Sequence, residues 1–115
     1  MAELLVDTDV CVDHLEGLRR LPQRPGRLAY SVITRAELLA GGVDREPQVR
    51  RLLAGMAEVP VDRRVADRAG QLRREVPALR LPDALIAATA LVHGLALASR
   101  NQRDFGRVPG LRLSR

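Results

Sequence analysis

The sequence predicts an α/β fold, with a parallel central sheet and helices on both of its faces. Three observations predict it. Short, continuously apolar runs recur along the chain at Leu4–Val6, Leu28–Tyr30 and Leu95–Ala98. Such runs suit strands buried on both faces, as in parallel sheets. Segments with helical spacing of apolar residues lie between them, and alternating strands and helices give a covered parallel sheet. The third observation is the stretch 84–92, where Thr89 is the one residue that is not apolar. A helix that is apolar all round is buried all round, so this one belongs at the centre of the fold.

Taken in order, Leu4–Leu5–Val6 reads as a central strand that ends on Asp7–Thr8–Asp9. Thr8 or Asp9 caps a helix through Val10, Val12 and Leu15. Cys11 lies between two valines and reads as a buried thiol, and as the only cysteine it excludes an internal disulfide. His14 is expected to face solvent. Residues 17–26 read as a loop or broken helix punctuated by Pro22 and Pro25, with Arg19, Arg20, Arg24 and Arg27 as a basic cluster. Leu28–Tyr30 is the second strand. Ser31 or Thr34 opens a helix over 35–40 that stops at Gly41–Gly42. Glu37 lies one turn into it, where an acid favours the helix dipole. Residues 45–56 form an amphipathic helix with Val49, Leu52, Leu53 and Met56 inward.

A third strand covers 58–61, and Pro60 places it at an edge. Asp62 caps a helix over 63–76 with Val65, Ala69 and Leu72 inward, and Pro77 ends it. Pro82 suits the first position of the apolar helix, Asp83 follows, and Gly94 closes it. His93, in the last turn, suits the dipole there. Leu95–Ala98 is the fourth strand. A polar turn, Ser99–Asp104, leaves its end, and 111–113 adds a short last strand.

The 115 residues suffice for one domain and one sizeable core, and 46% apolar content argues against disorder. Aromatic residues are scarce, so Leu, Val, Ile and Ala build that core. The formal net charge is +5, and all 19 basic residues are arginine. Arginine pairs bidentately with phosphate, and a basic surface favours a polyanionic partner. Acidic residues arrive as early as Glu3 and Asp7, unlike a signal peptide, and no apolar run could span a membrane. A cytoplasmic protein is expected.

Asp7 ends the first strand, Glu37 follows the second, Asp83 opens the buried helix, and Asn101 and Asp104 follow the fourth strand. In a doubly wound sheet, ligands bind beyond the carboxyl ends of the strands, where these residues meet. Each has a structural reading by itself. Asn101 and Asp104, three residues apart, match a variant of the capping box. Together they make an acidic pocket in a basic protein. Crowded carboxylates repel one another and lose hydration, and a divalent cation removes that cost. Oxygen ligands suit Mg²⁺ or Mn²⁺, which activate water and bind phosphodiester oxygens. No Cys/His cluster has zinc spacing, no Walker-type phosphate loop is present, and neither His14 nor His93 has a nucleophile context.

Four stretches then carry a resemblance: Leu4–Asp9, Ser31–Leu38, Asp83–Ala90 and Ser99–Phe105. In this order they resemble the motifs of PIN domains, and specifically of the VapC-type toxins of bacterial toxin–antitoxin pairs. The resemblance covers essentially the whole chain. It implies a three-layer α/β/α domain and a Mg²⁺- or Mn²⁺-dependent endoribonuclease that cleaves structured RNA such as tRNA or rRNA. It also implies a cognate VapB-type antitoxin and a homodimer. Asp7, Glu37 and Asp83 match the family's first three acids. Its fourth position varies, and here both Asn101 and Asp104 fall in that motif, each a candidate for holding metal. Asp9 stands where the family often has Asn or Ser, which adds a negative charge. Two other readings compete. A phosphoacceptor signalling domain shares the doubly wound sheet and paired acids, but normally needs a late lysine that this chain lacks. A non-catalytic RNA- or protein-binding module on the same scaffold would have no need of the acids.

Overall fold

The computed structural model describes residues 2–22 and 26–114. Arg24 and Pro25, assigned above to the basic loop, lie outside the described residues. The strands are β1 (Leu4–Val6), β2 (Leu28–Ser31), β3 (Ala57–Val59), β4 (Ala96–Ala98) and β5 (Leu113–Ser114). They form one five-stranded sheet in the order β3-β2-β1-β4-β5. Every pairing is parallel. β1 is central. The chain leaves it for β2 and β3 on one side, then returns to place β4 and β5 on the other. Beside β1 is therefore the point where strand order reverses, and crevices for ligands open there.

The helices are α1 (Thr8–Leu15), α2 (Val32–Leu39), α3 (Glu46–Ala54), α4 (Arg63–Glu75), α5 (Leu81–His93) and α6 (Gln102–Phe105). Side chains alternate along a strand, so β1 feeds two separate cores. Leu5 packs with Val65, Ala69 and Leu72 of α4 and Ile86 and Ala87 of α5. Leu4 and Val6 pack with Cys11 of α1, Leu38 of α2 and Val49 and Leu53 of α3. This is the three-layer α/β/α arrangement that the sequence implies. Tyr30 and Phe105 are both fully buried, one in each core. The polar hydroxyl of Thr89 donates to Leu85 O at 2.7 Å, so α5 buries no unpaired group there. Gly94 ends α5 with φ 66°, a left-handed conformation that glycine adopts without strain. No helix among the described residues is long and apolar enough to cross a membrane.

Several boundaries and caps differ from expectation, each for a local reason. α1 begins one residue after β1, so Asp7 itself is the N-cap and its side chain accepts from Thr8 N–H. Ser31 caps α2 by accepting from Ile33 N–H, and the helix starts at Val32 rather than at 35. Glu37 consequently lies in the second turn. A 3-10 turn, Val43–Arg45, precedes α3, which is shorter than the 45–56 span. β3 stops before Pro60 and is an edge strand. The last strand, Leu113–Ser114, starts two residues later than the expected 111–113. The polar turn after β4 holds the one-turn helix α6. His14 is half-buried instead of facing solvent, because its Nδ1 accepts from Leu21 N–H at 3.0 Å and ties down the loop after α1.

Candidate active site

The site is built at the carboxyl ends of β1, β2 and β4. Parallel register sets Val6 opposite Ala98, which puts the next residues of both strands side by side. Asp7 N–H donates to Ala98 O at 2.9 Å. Ser99 Oγ donates to Asp7 Oδ2 at 2.7 Å, and Asp7 Oδ1 accepts from Thr8 N–H at 2.8 Å. Both carboxylate oxygens of a 5% exposed aspartate are thus satisfied. The same Ser99 hydroxyl accepts from Asn101 N–H at 3.0 Å. Ser99 therefore links the end of β1 to the turn that carries Asn101.

That turn is a closed unit. Asn101 Oδ1 accepts from Asp104 N–H at 3.3 Å, and Asn101 Nδ2 donates to Asp104 Oδ2 at 3.1 Å. The capping role expected for Asn101 is present, and it positions Asp104. On the other side, Thr8 Oγ1 donates to Glu37 Oε1 at 2.7 Å and lies 3.0 Å from the Thr34 hydroxyl. Thr34 is wholly buried in α2, so Glu37 is anchored although it is exposed. Asp83 is the third residue of α5 and has Arg80 Nε at 3.8 Å.

Asp7, Glu37, Asp83 and Asn101 line one open cleft of about 290 Å³, together with Thr8, Asp9, Val12, Arg80 and Arg100. Asp104, bonded to Asn101, is not among the lining residues, although its charge reaches Asp83. A second groove of about 330 Å³ adjoins it, lined by Val12, Leu15, Leu38 and Val49 with Glu16, Glu37 and Arg45. The two share Val12 and Glu37.

The match to known proteins follows this geometry. A family model described as "PIN domain" covers residues 4–111. The chain belongs to the PIN-domain family. It is 39% identical to "Ribonuclease VapC10" of Mycobacterium tuberculosis, over 89% of this chain and 85% of that protein. It is 27% identical to the "tRNA(fMet)-specific endonuclease VapC" of Shigella flexneri, over 97% of this chain and 96% of that one. A structure of a toxin–antitoxin complex from Klebsiella pneumoniae superposes with a TM-score of 0.83 at 35% identity, covering 95% of both chains.

The electrostatics of this PIN cleft are those of an acid set with too little positive charge. Burial is the main reason that the Asp7 carboxyl is pushed up to about 6; Asp9 and Asp83 repel it further, while Ser99 and the Thr8 amide oppose the rise. Asp83 is also raised, first by loss of hydration and then by Glu37, Asp104 and Asp9, against the pull of Arg80. Carboxyls crowded around a cleft, with Arg80 and Arg100 beside them, present oxygen ligands that suit a hard divalent cation. Among the described residues no three acids close on a single point. A Mg²⁺ site needs no such cage, since this ion usually keeps several waters and takes one or two carboxylates.

Sequence reasoning missed Ser99, Thr8, Arg80 and Arg100 as parts of this site. Ser99 had one local signal, its place directly after an apolar strand. Thr8 and Arg100 are tied to it by partners far away in the chain, and Arg80 by Asp83 three residues on. Asp9, which departs from the family pattern, does not cap α1. It accepts from Arg100 N–H at 3.2 Å and holds the turn after β4. Cys11, beneath the cleft, is buried, and loss of hydration raises its thiol to about 12, so it has no role as a thiolate.

Proposed function

We propose that this PIN domain is a metal-dependent endoribonuclease, the toxin of a toxin–antitoxin pair, cleaving RNA phosphodiester bonds. The observation that carries the reading is the acid cleft of Asp7, Glu37 and Asp83, where burial and mutual repulsion raise Asp7 and Asp83, in a protein of net charge +5. Asp7 and Asp83 would hold Mg²⁺ or Mn²⁺, with Glu37 completing the set from α2. A bound cation there supplies the charge that polarises a phosphodiester and lowers the pKa of water. Thr8 keeps the Glu37 carboxylate turned toward the cleft. Asn101 spends its amide on Asp104 and so orients that acid rather than acting as a ligand itself. The exposed Arg80 side chain on the rim is available to backbone phosphates. The relatives' names support ribonuclease chemistry, and that of the Shigella protein makes tRNA the first substrate to assay.

The partner in this reading is a VapB-type antitoxin. The groove beside the cleft is apolar along Val12, Leu15, Leu38 and Val49 and reaches the acids at Glu37. An inhibitor with apolar side chains and one basic residue would fill it and neutralise the cleft. A homodimer and a cytoplasmic location belong to the same reading.

Two measurements test it. Cleavage of RNA should require Mg²⁺ or Mn²⁺ and stop in EDTA, and a protein that binds RNA but never cleaves it would be a binding module instead. Melting should also shift upward with metal. A ligand at about 100 times its dissociation constant adds roughly 2.7 kcal/mol. No shift at millimolar metal removes the cation from the proposal.

The Asn101–Asp104 turn separates positioning from chemistry. Asn101→Ala removes the cap of α6 and should cost about 1 kcal/mol of stability. Asp104→Asn keeps the turn and removes only charge, so cleavage should fall while the melting temperature holds. Normal cleavage by Asp104→Asn with an inactive Asn101→Ala would reverse the two roles.

A further inference from the structure

We infer that Arg100 is a substrate-binding residue, holding an RNA phosphate next to the scissile one; this rests on the ribonuclease reading of the cleft. Arg100 follows Ser99 at the end of β4 and lines the cleft. Its backbone N–H is fixed by Asp9. Its guanidinium lies across α1, with Nη1 3.2 Å from Asp13 Oδ1 and Nε 3.9 Å from Asp9 Oδ2. Asp9 and Asp13 are one helical turn apart, so they form a two-rung rail for one planar group.

Asp13 is the informative partner. Its side chain is 7% exposed, and a carboxylate so buried needs a partner. Arg100 pairs with it as an ion pair through one nitrogen, Nη1. Among the described residues, Nη2 has no protein acceptor within hydrogen-bond reach, and 52% of the side chain is open to solvent. A guanidinium anchored at Nη1 leaves its remaining donors for a second anion. The structure therefore combines a tethered cation with a free donor on the wall of a cleft that takes a polyanion.

Arg80, the other arginine of the cleft, differs in kind. It is 78% exposed, and its neighbour is Asp83, which belongs to the acid set. A cation bound by Asp83 would compete with that contact. Asp13 lies outside the cleft lining, so this half of the Arg100 tether does not depend on what the acids hold, whereas the Asp9 half borders the cleft. Preorganisation of this sort lowers the entropic cost of gripping phosphate.

The test is equilibrium binding of a short fluorescein-labelled single-stranded RNA in Mg²⁺, measured across a salt series with the non-cleaving Asp83→Asn protein as background. Each phosphate contact on a single strand contributes about 0.7 to the slope of log K against log salt. Arg100→Ala should lower the slope by about that amount and weaken binding by about tenfold or more, as for one lost charge-assisted hydrogen bond. Arg100→Lys should restore the slope, since it restores the charge, but recover only part of the affinity. Arg27→Ala makes the same charge change at the opposite end of the sheet, where Arg27 pairs with Glu3, and should leave the slope unchanged. An unaltered slope in Arg100→Ala, or an equal loss in Arg27→Ala, overturns the inference while leaving the ribonuclease reading standing. RNA that the wild-type protein neither binds nor cleaves overturns both.

Discussion

Asp83→Asn should lose nearly all cleavage and leave the protein folded. A drop of about 10²–10³-fold in kcat/KM is expected, the size seen when one preorganised electrostatic group is removed from an active site. Stability should change little, because the effects oppose one another. Asn relieves the repulsion that Glu37, Asp104 and Asp9 exert on this carboxyl and the cost of its lost hydration. It also gives up the favourable acid in the first turn of α5, about 0.3–1 kcal/mol, and a loose contact with an exposed Arg80. Urea denaturation in EDTA and single-substrate kinetics with metal measure the two effects separately. A variant that is clearly less stable yet still cleaves would make Asp83 a helix-start residue and nothing more.

Without metal, the protein should be more stable near pH 5 than near pH 7.5, and Asp7→Asn should remove most of that difference. The Asp7 carboxyl sits at about 6, raised from 3.8 mainly by burial. The folded protein therefore binds a proton more tightly than the unfolded chain between those values. Stability from this group is fully present below the unfolded value and is lost as pH rises through the folded one. Above about pH 6 the ionised Asp7 costs the fold roughly 3 kcal/mol, from about two pH units at 1.36 kcal/mol each. Asn at this position is neutral at every pH. Its carbonyl can keep the Thr8 N–H, and its amide can donate to Ser99 Oγ while the Ser99 hydroxyl turns to Asp9 Oδ2, now 3.3 Å away. Metal-free Asp7→Asn should consequently gain as much as about 3 kcal/mol at pH 7.5 and lose RNA cleavage. Urea midpoints at both pH values, in EDTA, decide it. A wild-type protein that gains stability from pH 5 to 7.5 would show that Asp7 is ionised without cost.

The second prediction places stability and activity in opposition at Asp7. The fold holds Asp7 as a carboxylate where a neutral amide should suit it better, and at Asp83 the two forms are close to balanced. Strain of this kind collects at functional sites and is offset elsewhere. Here the offset is the pair of apolar cores on either side of β1.

The sequence by itself determined the fold class, the order of elements and most of the acids. These follow from signals that act over a few residues. Apolar runs mark β1, β2 and β4. Asp62 accepts from Val65 N–H three residues on. Gly94 takes the left-handed conformation that ends α5. The uniformly apolar 84–92 stretch could only be buried. The resemblance to PIN motifs then singled out Asp7, Glu37 and Asp83 together. What tertiary structure decided is how these groups are held. Ser99 reaches Asp7 across 92 positions, and Arg100 reaches Asp9 across 91. Such partners are set by the parallel register of β1 with β4, and one residue of slip would turn Ser99 to the other face of the sheet. His14 was misjudged for the same reason, since its acceptor role depends on where the loop to Leu21 returns. A local pattern tells which residues are polar at a strand end. Only the packing of distant segments tells which of them share a proton, a charge or a tether, because hydrogen bonds and burial act through space and not along the chain.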